Sequence, residues 1–320
     1  MDYLVANMTQ CKNLFVRKRI IIFLFWILLV DIVAGQVAMT NIQSRKITSL
    51  NGQWNVIIDP VGVGEWRQVW LEKKPEKKTD FFEYSFDGGP ILKVPGDFNS
   101  QMKELSFFEG TVWYRKKFNY KLEPGKRLFI HFGAVNYIAE VYLNGEKLGS
   151  HEGGFTPFQF EITNKIRSGN NTVVVKTNNV RQKNGLPGLG YDWLNYGGIT
   201  RDVNIIETPR TYIQDYSIQL KKQSLDTVLG WVQLNGLQLE QRVEIRIPEL
   251  NFQYKTKCKE KGFAAIVFPA EFKLWSPENP KRYRVIIKTD TDSVSENIGF
   301  RSIEVKEGKV FRANILTVIK

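Results

Sequence analysis

Histidine and cysteine are scarce in this 320-residue chain, with two of each. Cys11 lies in an N-terminal segment that we expect to be removed, which leaves Cys258 alone and excludes an intrachain disulfide. The cores must therefore be held together by burial. His151 and Glu152 are followed by Gly-Gly-Phe, so the second histidine of a zinc-protease helix is missing. Since His131 is the other histidine, the sequence predicts neither a metal site nor a cofactor.

A hydrophobic run long enough to span a membrane is also missing. Arg17–Arg19 precede eleven apolar residues, Ile20–Val30, whereas a spanning helix needs about 20. A basic flank, a short apolar run and the small residues Ala34 and Gly35 are typical of a secretory signal peptide. We therefore expect residues 1–35 to be a signal peptide and the mature protein to be secreted or periplasmic. An uncleaved membrane anchor is the alternative interpretation.

The positive charge is large but scattered. A net charge of +12 raises nucleic acid or an anionic surface as a partner. The densest basic cluster, Lys73–Lys78, is interrupted by proline and glutamate, which favours a solvated surface loop. No nucleic-acid-binding motif accompanies it. We therefore expect no nucleic-acid partner.

Long helical periodicity is absent from the first two thirds of the chain, where short period-two segments alternate with turn signals. The predicted strands there are Asn55–Ile58, Trp113–Phe118, Arg127–Phe132, Glu140–Leu143 and Thr172–Thr177. Asn144–Gly145 is a strong hairpin signal, because both residues tolerate positive φ. Many short strands predict an all-β fold, here a jelly-roll β-sandwich over residues 36–209. Trp54, Trp113 and Phe118 are predicted to fill its core rather than to form sugar platforms.

A second domain is predicted to begin after Thr208–Arg210. Its predicted strands are Trp231–Leu234, Val243–Ile247, Phe263–Phe268 and Arg282–Ile287. The segment Trp275–Pro280, WSPENP, contains two prolines and cannot be helical. About a hundred residues with this pattern predict an immunoglobulin-like β-sandwich over residues 210–306. Residues 307–320 are left as a short C-terminal stub.

The stretch Gly190–Val203, GYDWLNYGGITRDV, contains the candidate site. Asp192 stands among three aromatic residues after a loop rich in glycine and proline. The alternation over Ile199–Ile205 predicts a half-buried strand with Arg201 on its apolar face. Residue types alone favour a rim loop that leads into a core strand. The sharper hypothesis is that Asp192, at the rim of a sandwich, accepts hydrogen bonds from sugar hydroxyls.

This stretch resembles the strand-entry signature of the sugar-binding domain of glycoside hydrolase family 2, the family of β-glucuronidases and β-galactosidases. Further segments agree with the family in the same order: VPGDFN at Val94–Asn99, GTVWYRKKF at Gly110–Phe118, VYLNGEKLGSHEGGFTPFQFEIT at Val141–Thr163 and IGFRSIEV at Ile298–Val305. The NYGGI sequence is closer to β-glucuronidases than to β-galactosidases. The resemblance covers about residues 45–311.

The resemblance implies that the loop of Asp192 reaches the mouth of a (β/α)8 barrel and contacts substrate hydroxyls there. Family members carry two catalytic glutamates in that barrel, and the acid/base glutamate lies in an Asn-Glu pair. Such a barrel takes about 250 residues, whereas fifteen residues follow Val305 and the chain contains no Asn-Glu pair. We therefore expect the barrel to be absent, no catalytic residue in this chain, and weak carbohydrate binding. The departure from the family pattern at Arg312 suggests a truncated or frame-shifted coding sequence, or a fragment.

Two other interpretations remain open. A free-standing carbohydrate-binding or adhesion protein would expose a line of aromatic residues on one sheet face, for which Trp66 and Trp70 are candidates. One half of a split glycosidase would bind a separate barrel chain, and a homo-oligomer is the other assembly considered.

Overall fold

A computed structural model describes residues 38–72, 84–222, 224–306, 309–312 and 315–317. The predicted signal peptide and the basic cluster Lys73–Lys78 lie outside the described residues. The helices of the described part are single turns: α1 (Val63–Trp66) and the 3-10 turns Val69–Leu71, Lys103–Leu105, Pro248–Leu250 and Glu260–Gly262. None of these described helices has the length and apolar character that crossing a bilayer requires.

The first ten strands build one β-sandwich from two antiparallel sheets. They are β1 (Lys46–Ser49), β2 (Gly52–Asp59), β3 (Ile91–Val94), β4 (Thr111–Tyr120), β5 (Lys126–Phe132), β6 (Ile138–Leu143), β7 (Glu146–Glu152), β8 (Phe158–Glu161), β9 (Gly169–Asn178) and β10 (Val203–Pro209). One sheet has the order β3-β2-β4-β9-β6-β7, and the other has the order β1-β10-β5-β8. This sandwich is the predicted jelly roll.

The aromatic residues predicted to be core fillers are buried in this sandwich. Trp54 is fully buried in the core between the sheets, and the half-buried Phe118 packs against the same core. Trp113 is also fully buried, but it belongs to a second cluster that includes Tyr142. In that cluster the ring of Trp70 stacks on Tyr142 with centroids 4.5 Å apart. The prediction that Trp54, Trp113 and Phe118 fill cores rather than bind sugar is confirmed.

The next seven strands build a second β-sandwich of the immunoglobulin-like kind. They are β11 (Tyr212–Leu220), β12 (Thr227–Asn235), β13 (Arg242–Ile247), β14 (Phe252–Lys257), β15 (Phe263–Pro269), β16 (Tyr283–Thr289) and β17 (Ser293–Ile298). The sheet β11-β12-β15 faces the sheet β14-β13-β16-β17, and Cys258 is a buried free thiol in the core between them. A separate three-stranded sheet consists of β18 (Ile303–Lys306), β19 (Lys309–Arg312) and β20 (Ile315–Thr317). A (β/α)8 barrel is absent from the described residues, so the predicted fold class is correct.

Period-two patterning located the strands well, because each predicted strand overlaps an observed one. The predicted hairpin at Asn144–Gly145 joins β6 to β7, and φ is 53° at Asn144 and 87° at Gly145. Both values lie in the left-handed region that a tight hairpin turn of this type needs. The segment Trp275–Pro280 is irregular, as its prolines require.

The predicted half-buried strand over Ile199–Ile205 is wrong in two respects. Strand β10 begins at Val203, so Arg201 is exposed at the rim, and its Nη1 donates to the carbonyl of Phe155 at 3.2 Å. In addition, β10 is buried on both faces from Val203 to Thr208. The reason is its position between β1 and β5, with the core on one side and a further apolar cluster around Ile206 on the other.

The segment Ala38–Arg45 covers the outer face of the jelly-roll sheet β1-β10-β5-β8, and we call this segment the N-terminal clasp. Met39 packs into the apolar cluster of Ile206, and this cluster also contains Tyr212 of the second sandwich. Arg45 forms a buried ion pair with Asp292, and its Nη2 donates to the carbonyl of Ile213 at 2.9 Å. The clasp therefore connects the two sandwiches through contacts that are distant in sequence.

The buried ion pair predicts a large stability loss when one partner is removed. Arg45 and Asp292 expose 3% and 4% of their side chains. The Arg45→Ala variant would leave the Asp292 carboxylate buried without its cation, at a cost of about 3–5 kcal/mol in unfolding free energy. The matched control is Arg242→Ala, because Arg242 pairs with Asp290 but is 79% exposed, and this change should cost less than about 1 kcal/mol. Equal losses in urea unfolding would contradict the structural role of the clasp.

Candidate functional site

The candidate site is a long loop, residues 179–202, that connects β9 to β10 at one rim of the jelly roll. Its inner part is buried, whereas most of its outer part is exposed. A loop that leaves and re-enters a sandwich at its rim must satisfy its backbone polar groups without a strand partner. In this protein, asparagine side chains satisfy many of them.

Four buried asparagines hold the loop to the sandwich: Asn99, Asn136, Asn179 and Asn195. The amide of Asn195 donates to the carbonyl of Asn179 at 2.5 Å, and the amide of Asn179 donates to the carbonyl of Asn195 at 2.6 Å. The amide of Asn136 donates to the side chain of Asn195 at 2.8 Å and to the carbonyl of Tyr196 at 2.6 Å. These reciprocal bonds close the loop at its base, because each asparagine offers both a donor and an acceptor.

The segment VPGDFN docks directly against NYGGI. The backbone N–H of Gly96 donates to the carbonyl of Ile199 at 2.9 Å, and that of Phe98 donates to the carbonyl of Gly197 at 2.9 Å. The side-chain oxygen of Asn99 in turn accepts from the backbone N–H of Gly197 at 2.8 Å. A Cβ atom at Gly197 would lie 2.4 Å from the ring of Phe98. Glycine is therefore required at this position by the closeness of the two segments.

The segment HEGGF reaches the same place from the other side. A Cβ atom at Gly154 would lie 2.0 Å from Oδ1 of Asn136, so only glycine fits there. His151 stacks on Phe158 with ring centroids 4.2 Å apart, and burial lowers the pKa of this histidine. The segments VPGDFN, HEGGF and NYGGI, which are far apart in sequence, therefore converge on the loop base. A fourth segment, GTVWYRKKF, contributes through Gly110, whose N–H donates to the side chain of Asn179 at 2.9 Å.

The outer part of the loop presents Asp192 to solvent between exposed aromatic residues. Tyr191 and Trp193 are 42% and 53% exposed, and their ring centroids lie 4.3 Å apart. Asp192 is exposed and makes no hydrogen bond or ion pair with any described residue. Arg181 holds this part of the loop, because its Nη1 donates to the carbonyl of Tyr191 at 2.7 Å and its Nε pairs with Glu109 at 2.8 Å.

This arrangement suits sugar contact rather than bond cleavage. A free carboxylate can accept charge-assisted hydrogen bonds from hydroxyl groups, and neighbouring aromatic rings can pack on the apolar face of a sugar. Described carboxylates close to the loop are already engaged: Glu109 pairs with Arg181, and Glu152 accepts from the hydroxyl of Tyr137 at 3.4 Å. Among the residues that the structure describes, no group of three potential metal ligands was found.

The aromatic pair considered for a free-standing binder does not form a platform. Trp66 is 82% exposed, but Trp70 is half-buried in the stack with Tyr142. Exposed aromatics at the rim include Tyr191, Trp193 and Tyr196 on the loop, and Phe155 of the HEGGF segment, which is 64% exposed.

The buried asparagines were not identified from the sequence. Asn99 and Asn195 lie inside the quoted segments, but nothing local distinguishes a buried asparagine from a turn residue. The available signal was their position next to buried strand ends, as for Asn179 directly after β9.

Removing the side chain of Asn195 should loosen the loop, whereas neutralising Asp192 should not. Asn195→Ala leaves the buried carbonyl of Asn179 without this donor and removes one of the two bonds that the amide of Asn136 makes, and we expect a loss of about 1–3 kcal/mol in unfolding free energy. Asp192→Asn should stay within about 0.5 kcal/mol of the parent, because the carboxylate has no partner among the residues that the structure describes. Urea unfolding and limited proteolysis of the loop measure both effects. Similar losses for the two variants would mean that Asp192 has a structural role.

Comparison with known families agrees with this architecture. The family described as glycosyl hydrolases family 2, sugar binding domain, matches residues 47–209, and the family described as glycosyl hydrolases family 2 matches residues 211–301. The first match covers the jelly roll, including the loop. The second covers the strands of the immunoglobulin-like sandwich.

Curated relatives are glycosidases by name. A putative beta-glucuronidase of Formosa agariphila is 31% identical over 219 residues, which are 63% of this chain and 26% of that protein. A beta-galactosidase of Thermoanaerobacter pseudethanolicus is 28% identical, over 78% of this chain and 36% of that protein. The beta-glucuronidase of Mus musculus is 26% identical, over 83% of this chain and 46% of that protein.

Solved structures give the same result. A beta-glucuronidase from an uncultured Clostridium species superposes with a TM-score of 0.72 at 26% identity, covering 88% of this chain and 49% of that one. The apo beta-glucuronidase of Ruminococcus gnavus gives a TM-score of 0.72 at 26% identity, covering 89% and 50%. The chain thus spans from about a quarter to about half of the length of these relatives. With both of its sandwiches matched in order by one family, this chain belongs to family 2 of the glycosyl hydrolases.

Proposed function

We propose that this chain is the sugar-contacting and spacer part of an exported β-glucuronidase-like enzyme, and that the 320-residue chain alone does not hydrolyse glycosides. The observation that carries this proposal is the unpaired carboxylate of Asp192, exposed on a loop whose base is fixed by buried asparagines. A group held out in this way can contact a substrate bound by a neighbouring domain. The two ends of the loop that carries it are fixed before the substrate arrives, which reduces the entropy cost of the contact.

The chemistry of glycoside hydrolysis supports the absence of turnover. The usual mechanism places two carboxyl groups on opposite sides of the glycosidic bond, about 5–5.5 Å apart in retaining enzymes and about 6.5–9.5 Å apart in inverting ones. The other carboxylate of the candidate loop, Asp202, accepts from the side-chain amide of Asn51 at 2.9 Å, and the neighbouring Glu109 is paired with Arg181. One carboxylate on an open rim can bind a hydroxyl, but it cannot supply both an acid and a nucleophile.

A β-glucuronide is the substrate class that we propose for the complete enzyme. The relatives from Mus musculus, Bacteroides fragilis and Streptococcus agalactiae are named beta-glucuronidases. One relative at 28% identity is named a beta-galactosidase, so a β-galactoside is the second candidate. Export is proposed from the basic flank and apolar run over Arg17–Val30.

The activity test is direct. The purified chain should release no chromophore from p-nitrophenyl β-D-glucuronide or β-D-galactoside above a blank. In nuclear magnetic resonance titration, glucuronic acid should shift loop signals weakly, with a dissociation constant in the millimolar range or higher, because exposed hydrogen bonds compete with water. Asp192→Ala should abolish those shifts while leaving the spectrum of the second sandwich unchanged. Measurable hydrolysis by the chain alone would refute the proposal.

A catalytic barrel is the partner that we propose for the rim. It would be supplied by a continuation of the polypeptide or by a separate chain, and the exposed apolar side chains of Leu189, Trp193 and Tyr196 favour such a cover. Affinity capture from the host tests the separate chain. Peptides of a family 2 barrel should be recovered with the parent protein and lost with Trp193→Asp. Capture that is insensitive to this variant would place the contact elsewhere.

A free-standing carbohydrate-binding protein is the second candidate, and the exposed aromatics of the loop favour it. Tyr191, Trp193 and Tyr196 are 42%, 53% and 49% exposed. Calorimetric titration with polysaccharides distinguishes the two functions. A binder should saturate and lose affinity in Trp193→Ala, whereas the enzyme part should show no saturable heat.

A further inference from the structure

Strand β15 is an exposed edge of the immunoglobulin-like sandwich. It pairs with β12 on one side, and no described strand pairs with its other side. Its seven residues alternate strictly between exposed and buried. The outward side chains include Phe263 and Val267, which are 44% and 54% exposed, with Ala265 between them. Apart from the carbonyl of Phe263, which accepts from the backbone N–H of Lys259 at 2.9 Å, this edge offers backbone groups without a described strand partner, together with apolar side chains.

An apolar edge of this kind is unusual in this molecule. Soluble proteins normally protect sheet edges with charged residues, because an unprotected edge pairs with other chains. The other edge strands of the two sandwiches all carry charge: Lys46 on β1, Lys93 on β3, Glu146 and Lys147 on β7, Glu161 on β8, Asp215 on β11, Lys255 and Lys257 on β14, and Glu296 on β17. Among these described edges, β15 is the exception, with no charged residue in its sequence FAAIVFP.

The neighbouring strand extends the apolar surface. Leu229 on β12 lies opposite Val267 and is 37% exposed. Trp231 lies opposite Ala265, and its ring stacks with that of Phe263 at a centroid distance of 6.3 Å. The edge and the adjoining sheet face thus form one apolar strip.

We propose that β15 pairs antiparallel with β15 of a second copy of this chain. A strand pairs with itself around a two-fold axis when its outward residues suit each other. With Ala265 on the axis, Phe263 of each copy lies opposite Val267 of the other. Pro269, which has no N–H to donate, falls outside the paired residues Phe263–Val267.

The flanking charges favour the same partner. Exposed Lys259, Glu260 and Lys261 precede β15, and exposed Glu271 follows it. With Ala265 on the axis, antiparallel self-pairing places Lys259 of each copy opposite Glu271 of the other. Since the whole chain carries a net charge of +12, two copies repel each other over most of their surfaces. An uncharged strand with complementary ends is where they can meet.

Sedimentation velocity on the full chain over a range of micromolar concentrations tests this dimer. The parent should pass from monomer to dimer as concentration rises, because a seven-residue edge is short for a permanent interface. Ala265→Lys and Val267→Lys should each weaken the dimer by at least about tenfold, since they place positive charges against an apolar or like-charged surface. Gln219→Lys is the matched control, because Gln219 is exposed on β11, at the opposite edge of the same sheet.

Oxidative cross-linking checks the register. Ala265→Cys should form an intermolecular disulfide in the dimer, because cross-strand Cβ atoms lie about 4.5–5.5 Å apart. Gln219→Cys should not, and the native Cys258 is 5% exposed and stays reduced.

A chain that remains monomeric at all concentrations overturns the proposal, as does a dimer that both lysine variants leave intact. A dimer disrupted by Trp193→Asp but not by Val267→Lys would also overturn it, by assigning self-association to the rim. No sugar is involved, so this outcome is independent of the proposed function.

Discussion

The satisfaction of buried backbone groups by asparagine amides is the constraint on which the rest of this structure depends. At the rim of the jelly roll, Asn179 and Asn195 bond each other's carbonyls, and Asn136, between β5 and β6, donates to the side chain of Asn195. Each of these groups would cost about 1–3 kcal/mol if it were buried without a partner. The loop therefore has one favourable path across the sandwich, and the exposed segment that carries Asp192 starts and ends at fixed points.

The rim is divided into an anchored base, which stabilises the fold, and an exposed tip, which carries Asp192. Gly197 and Gly154 fit because the segments around them approach too closely for any side chain. Asp192, in contrast, contributes nothing to the fold within the described residues, and its carboxylate stays available to a ligand. Changes at the tip are therefore expected to leave the base intact.

The sequence predicted the two sandwiches and most strand positions, because alternation with period two is a local property. It also located the β6–β7 hairpin from Asn144–Gly145, whose conformational demands are local as well. Arg201 was assigned to a buried face because alternation does not show where a strand begins, and β10 begins two residues later. The asparagine network and the pairing of Arg45 with Asp292 could not be predicted, because each joins residues far apart in sequence and depends on the finished fold.

The N-terminal clasp has a consequence for the order of synthesis. Arg45 leaves the ribosome 247 residues before Asp292, which corresponds to about 10 to 50 s at ordinary elongation rates of about 5–20 residues per second. During that interval the arginine has no carboxylate to meet, and the outer face of the four-stranded sheet lacks Tyr212 and its neighbours for part of the time. The jelly roll is thus synthesised first, but its N-terminal clasp can form its last contacts only after the immunoglobulin-like sandwich has been synthesised.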